Sequence, residues 1–146
     1  MFTSARHDQL LNLDERPRPG AHLVTPRVGF MHHGICVGPD RVVHYRAIAY
    51  VVPGKPVEEV SLAEFAQGRR IWVRHHAECS FDADVIIRRA RSRVGESRYR
   101  LLSNNCEHFC EWCLHDASRS YQVDRALAVP RRLTRLLRAT TAQPMF

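Results

Sequence analysis

An α+β domain, with helices packed on a small antiparallel sheet, is predicted by two features of the sequence. Strand-like apolar segments crowd the first half of the chain, and helical segments with their own start and stop signals dominate the second. A chain of 146 residues suits one domain with one core of ordinary size, and its 45% hydrophobic and 25% charged content is that of a soluble globular protein.

The elements follow in order. Residues 1–18 read as a loose leader that closes on the polar run DERPRPG. AHLVTP is a short strand. FMHHGICVG and RVVHYRA flank Gly38-Pro39-Asp40, a strong turn signal, and form an antiparallel hairpin. IAYVV extends it as a third strand up to the break at Pro53-Gly54. SLAEFAQG is a compact helix: Ser61 caps it, Glu64 completes a capping box and Gly68 stops it. RRIWVRH returns as a strand. Ser80 then caps a longer helix that ends at Gly95, with Phe81, Val85, Ile86, Ala90 and Val94 at core spacing. A last helix starts at Asn104, with Glu107 three residues on, and carries Cys106 in its first turn.

The net charge of +7 is carried almost wholly by arginine, with Lys55 the only lysine. Such a balance suits acidic partners, or solubility alone. No interleaved aromatic stripe or nucleic-acid motif accompanies it, so no nucleic acid is expected. The N-terminus lacks an apolar signal region, and no stretch approaches the roughly 20 apolar residues of a membrane span. Five cysteines make an odd count with three crowded together, a poor disulfide framework that suits a reducing cytosol. These features, with the arginine-rich composition, point to a cytoplasmic protein of bacterial type.

The chemistry concentrates in NNCEHFCEWC, residues 104–113. On a helix, Cys106, Cys110 and Cys113 share one face. A structural zinc site would need a fourth ligand from far away and has no second CxxC. Cys110 and Cys113 suit packing, since cysteine is among the most buried residue types. Cys106 suits a nucleophile: a helix N-terminus lowers a thiol pKa, and its amide N–H groups can bind an oxyanion. Such a thiol needs a base held by a third group. Nine histidines are available. His7 lies in the leader, and His75 and His76 follow a strand and read as surface. His108 and His115 share the cysteine's helix, and His108 reads as structural. His22, His32, His33 and His44 lie in the sheet region. A hairpin with an odd loop would put His32 and His44 on one face, a register that the residues alone leave open.

HHGICVG, then VVHY, then NCEHF resemble the lecithin:retinol acyltransferase-like domain, whose pattern runs H-x-G-I-Y-x-G, V-x-H and N-C-E-H-F. The resemblance covers about residues 19–124, leaving a basic amphipathic tail at 125–146. It implies a circularly permuted papain-like fold related to NlpC-type peptidases. It also implies a cysteine-dependent acyltransferase or lipid hydrolase that forms an S-acyl-cysteine on fatty acyl esters such as phospholipids. By position Cys106 matches the nucleophile, His32 the general base and His44 the group that orients the base. His33 takes an aromatic position beside the base, and Cys36 replaces the usual tyrosine. The resemblance implies no cofactor and no metal. In the tail, Val129, Leu133, Leu136 and Leu137 share a helical face beside Arg131, Arg132, Arg135 and Arg138, which would allow peripheral contact with an anionic membrane or packing on the domain. The alternatives are a papain-like amidase or peptidase, and a non-catalytic binding module of the same fold.

Overall fold

The computed structural model describes residues 7–46, 56–98 and 105–116. Six strands and three helices follow in the order β1 (His7–Leu10), β2 (His22–Arg27), β3 (Phe30–Gly38), β4 (Arg41–Tyr45), β5 (Val57–Ser61), α1 (Leu62–Ala66), β6 (Trp72–His75), α2 (Ala83–Ser92) and α3 (Cys106–His115). The strands form one sheet in the order β1-β6-β2-β3-β4-β5, with every pairing antiparallel. The α+β expectation is met, and so are the hairpin and the α1 capping box.

Four expectations need correction. Residues 7–10 of the expected leader are strand β1, paired to β6 from His7↔His75 to Leu10↔Trp72. β5 was not foreseen, because VEEVS puts two glutamates, poor strand formers, between its valines. α2 is capped by Asp82, whose side chain accepts from the Val85 N–H at 3.0 Å, rather than by Ser80. Val94 lies beyond the end of α2 and is 48% exposed, whereas Ile86 and Ala90 are buried as expected. The expected IAYVV strand and the basic tail fall outside the described residues.

The sheet is covered on both faces. Strand side chains alternate, so Ile35, Val37, Val43 and Tyr45 meet α2 and α3 through Ile86, Ala90, Phe109, Cys110, Cys113 and Leu114. Leu23, Cys36 and Val42 form the other layer with Phe65 of α1 and Ile71. Cys110 and Cys113 are therefore core residues. Arg89 docks α2 onto α3: its guanidinium sits 3.9 Å from the Trp112 ring centre and donates to the Trp112 carbonyl at 2.9 Å.

Gly34 is where the α1 layer touches the sheet. A Cβ there would fall 2.7 Å from Val42 Cγ1 and 2.8 Å from Phe65 Cε2. Both neighbours are buried, so neither can step aside cheaply. Gly34→Ala is expected to cost about 1–3 kcal/mol by overpacking, read as a lower urea midpoint. It should also cut activity more than its stability loss explains, because Phe65 lies against both His32 and His44.

Candidate active site

A one-residue bulge brings the two histidines together. Gly38↔Arg41 closes the turn, and a regular ladder from that pair would set His44 opposite Ile35. The register shifts between Cys36 and Gly38, so His44 lies opposite Gly34 instead. Because side chains alternate, that shift turns His44 onto the His32 face. His32 Nε2 and His44 Nδ1 then meet at 2.7 Å. On the next strand Glu58 lies directly opposite His44, and its Oε1 is 3.1 Å from His44 Nε2.

This chain of three fixes its own proton positions. A carboxylate only accepts, so His44 donates Nε2–H to Glu58. The His44 Nδ1 lone pair then accepts Nε2–H from His32, and the His32 Nδ1 lone pair is left over. That Nδ1 is buried and has no hydrogen-bond partner among the described residues. Burial, reinforced by His44, Arg27 and His33, holds the His32 imidazole well below its usual 6.5, so it rests neutral. Burial also lowers His44, against the pull of Glu58.

Cys106 is the first residue of α3, as expected, but the cap differs. Asn105, not Asn104, caps the helix: its Oδ1 accepts from the Glu107 and His108 N–H groups, each at 3.0 Å. His108, not Glu107, closes the capping box by accepting the Asn105 N–H on Nδ1 at 3.2 Å. Two first-turn amides are thus already engaged, which leaves the Cys106 N–H as the α3 donor nearest an oxyanion. The Cys106 thiol is 2% exposed. The His33 amide N–H is aimed at its sulfur, just past the last β3–β4 pair, Gly34↔His44. Sγ therefore sits at the peptide link between His32 and His33, and no hydrogen bond yet joins it to the His32 ring.

The expected low thiol pKa is not found. Burial pushes Cys106 from 9.0 up to about 12; the Glu107 charge adds to the rise, and the His33, Glu107 and Cys106 amides oppose it. The macrodipole effect of half a charge is outweighed by removing the sulfur from water. At rest the pair is a neutral thiol beside a neutral imidazole.

The dyad opens into a cleft of about 540 Å³ lined by Arg27, His32, His44, Arg46, Glu58, Val60, Glu64 and Gln67. Its described wall is polar, with Val60 the one aliphatic side chain. A larger cleft of about 810 Å³ beside Leu10, Leu11, Leu62 and Ile71 contains neither histidine nor cysteine. His32 and His44 both line the smaller one.

Residue reading missed three groups here. Glu58 was hidden in the unforeseen β5, whose valines Val57 and Val60 face opposite sides of the sheet and so leave no period-two pattern to mark it. Arg27 reaches the site from the β2 end, where its charge acts on both His32 and Cys106. His76, expected on the surface, is half-buried against His22 and His115.

Comparison with known proteins adds the following. The family model "Lecithin retinol acyltransferase" matches residues 15–119. The chain is 27% identical to human lecithin retinol acyltransferase over 133 residues, covering 73% of this chain and 58% of that protein. It is 27% identical to mouse phospholipase A and acyltransferase 5 over 143 residues, covering 85% of this chain and 51% of that protein. It is 30% identical to human phospholipase A and acyltransferase 2 over 128 residues, covering 77% and 79%. The chain thus spans little more than half the length of the first two. Among the described residues no helix is long and apolar enough to cross a membrane.

Proposed function

Because the chain belongs to the lecithin retinol acyltransferase family, we propose that it is a cysteine-dependent acyl-transfer enzyme acting on fatty acyl esters such as phospholipids, as a phospholipase A or an acyltransferase. The observation that carries the reading is the aligned row Glu58, His44, His32, which ends in an unengaged Nδ1 lone pair in the strand whose His33 amide holds Sγ.

In this mechanism Cys106 is the nucleophile, His32 the general base and His44 the group that orients it. For the attack the Cys106 S–H must reach His32 Nδ1; hydrogen bonds of this kind are often long in the apo state and tighten on substrate binding. As the proton passes to Nδ1, sulfur attacks the ester carbonyl. The Cys106 N–H faces the developing oxyanion. Collapse expels the alcohol, which takes its proton from the His32 imidazolium, and an S-acyl-Cys106 thioester remains. Water, an alcohol or an amine then attacks the thioester, with His32 again taking the proton. His44 and Glu58 stabilise the imidazolium by hydrogen bond and charge. This is the division of labour of a permuted papain-like site, with the histidines ahead of the cysteine in the chain.

Arg27 and Arg46 in the cleft suit an anionic phosphodiester beside the ester. In the proposed layout residues 19–124 hold the catalytic domain, preceded by residues 1–18 and followed by a basic tail at 125–146. Through Arg131, Arg132, Arg135 and Arg138 that tail meets anionic membrane, on a cytoplasmic and peripherally bound bacterial protein. The polar wall of the cleft favours a second reading, a papain-like amidase or peptidase using the same residues. Intact masses taken after incubation with a p-nitrophenyl ester, a diacyl phospholipid or a peptide separate the two. Adduct formed from phospholipid and not from peptide supports the lipid reading. Labelling by peptide alone transfers the site to amides. No label from any donor leaves the non-catalytic module.

Glu58 is a positioning residue here, acting through His44. Glu58→Gln keeps a hydrogen-bond acceptor but removes the charge. It is expected to lower kcat about tenfold, with KM nearly unchanged and the acid limb of the pH profile moved to lower pH, since the imidazolium loses a counter-charge. An unchanged profile would remove Glu58 from the mechanism.

A further inference from the structure

A second polar cluster lies on the α3 side of the sheet, and the acyl-transfer steps do not use it. His22 of β2, His76 just beyond β6 and Glu111 of α3 each offer one ligand atom, and these atoms lie within 4.8 Å of one another. We propose that His22, His76 and Glu111 bind one divalent transition-metal ion, zinc foremost, which ties α3 to the sheet.

The donor set selects the ion class. Two imidazole nitrogens and a carboxylate oxygen suit zinc and its first-row neighbours, whereas magnesium and calcium want oxygen alone. His22 and Glu111 are buried at 1% and 3% exposure, so the carboxylate is not one of the solvated surface acids that gather without an ion. The three residues come from distant parts of the chain, so no single helix or loop accounts for their meeting.

The surroundings are those of ligands held from behind. Ligating histidines generally anchor their other ring nitrogen on a second group, which fixes tautomer and orientation. His22 faces the cluster with Nδ1, and its Nε2 is 2.7 Å from His33 Nδ1. His33 Nε2 in turn lies 3.5 Å from Glu107 Oε2, which Arg74 Nη1 also meets at 3.3 Å. His76 faces the cluster with Nε2, and its Nδ1 is 3.1 Å from His115 Nε2. Both imidazoles are thus held on their far side. Their facing nitrogens, His22 Nδ1 and His76 Nε2, share one hydrogen bond at 2.8 Å. A metal ion replaces that proton. His22 keeps its Nε2–H on His33; the His76 proton moves to Nδ1 and donates to His115 Nε2, and His115 then carries its own proton on Nδ1. The nitrogens must part by about half an ångström to reach tetrahedral spacing at ~2.0–2.1 Å bonds, a shift that half-buried His76 can make. Three protein ligands leave a fourth position for water.

The site joins β2, the segment after β6 and the helix whose first residue is Cys106, so its effect is structural and is read apart from activity. Tag-free protein would be incubated with Zn²⁺, desalted and assayed for metal by mass spectrometry, with thermal unfolding followed beside it and Co²⁺ absorption as a coordination probe. Expected are about one equivalent of zinc, a Tm rise of roughly 5 °C or more at saturating metal, and a Co²⁺ spectrum of four-coordinate type. Because His22→Ala could simply unfold the chain, the decisive variants are His76→Ala and Glu111→Gln. Both should fold with the metal-free Tm nearly unchanged and lose the zinc equivalent and the Tm rise. Zinc well below one equivalent in wild type, or full binding that persists in either variant, overturns the assignment.

Discussion

Cys106→Ala should abolish the acyl adduct and cut turnover at least about a thousandfold, while His32→Ala should slow adduct formation by about 10²–10⁴ and still allow a trace. The difference follows from the roles. Without sulfur no thioester can form. Without the imidazole the sulfur remains, but a buried thiol pushed up to about 12 has lost its proposed proton acceptor. His44→Ala should fall between wild type and His32→Ala, because it leaves the His32 ring without its Nε2 anchor and does not remove the base. Intact mass under single-turnover conditions, with circular dichroism to check folding, measures all three. Cys106→Ala removes few atoms from the core, so loss of fold is not expected to mask the result. Activity retained in Cys106→Ala, with the label moved to exposed Cys79, would sink the assignment.

The legible part of this molecule is the part written in local rules. Gly38-Pro39-Asp40 announced a hairpin, and Ser61 with Glu64 announced a helix start, because turns and caps are settled by a few adjacent residues. The sequence motifs also singled out Cys106, His32 and His44, and the fold pairs the two histidines directly. What escaped was non-local. The parity that places His44 beside His32 depends on one bulged residue between Cys36 and Gly38, and no pattern in CVG marks it. Glu58 becomes a partner of His44 only through the β4–β5 register. β1 is held by pairing with a strand more than sixty residues away, so HDQL has no strand signature of its own. The thiol's ionisation was misjudged because helix position is visible in sequence and burial is not. Asn104 and Asn105 are equally good caps on paper, and the box partner His108 decides between them.

Alkylation of resting Cys106 by iodoacetamide should be about a hundredfold slower at pH 7.5 than that of a free thiol, and slower still where burial limits access. With the thiol at about 12 rather than near the free value, the thiolate fraction falls by about tenfold for each pH unit between them, and the greater nucleophilicity of a more basic sulfur recovers a little under half of that on a logarithmic scale. The rate should then climb about tenfold per pH unit through pH 7–10 without a plateau. A preformed thiolate–imidazolium pair would give a plateau around neutrality, and seeing one would replace proton transfer during attack with an ion pair already in place. Acylation by substrate should behave differently, staying flat down through the usual histidine range because His32 rests neutral there, and failing only when acid protonates it well below 6.5. Stability carries the same signature. Below about pH 6.5 the unfolded chain binds protons that buried His32 and His44 refuse, so stability falls as pH drops toward their lowered values. Above about pH 9 the unfolded cysteines ionise while Cys106, Cys110 and Cys113 keep their protons, so stability falls again as pH rises toward 12. A urea midpoint that peaks between those limits, together with slow alkylation and fast acylation, means that the buried pair is kept neutral until substrate arrives.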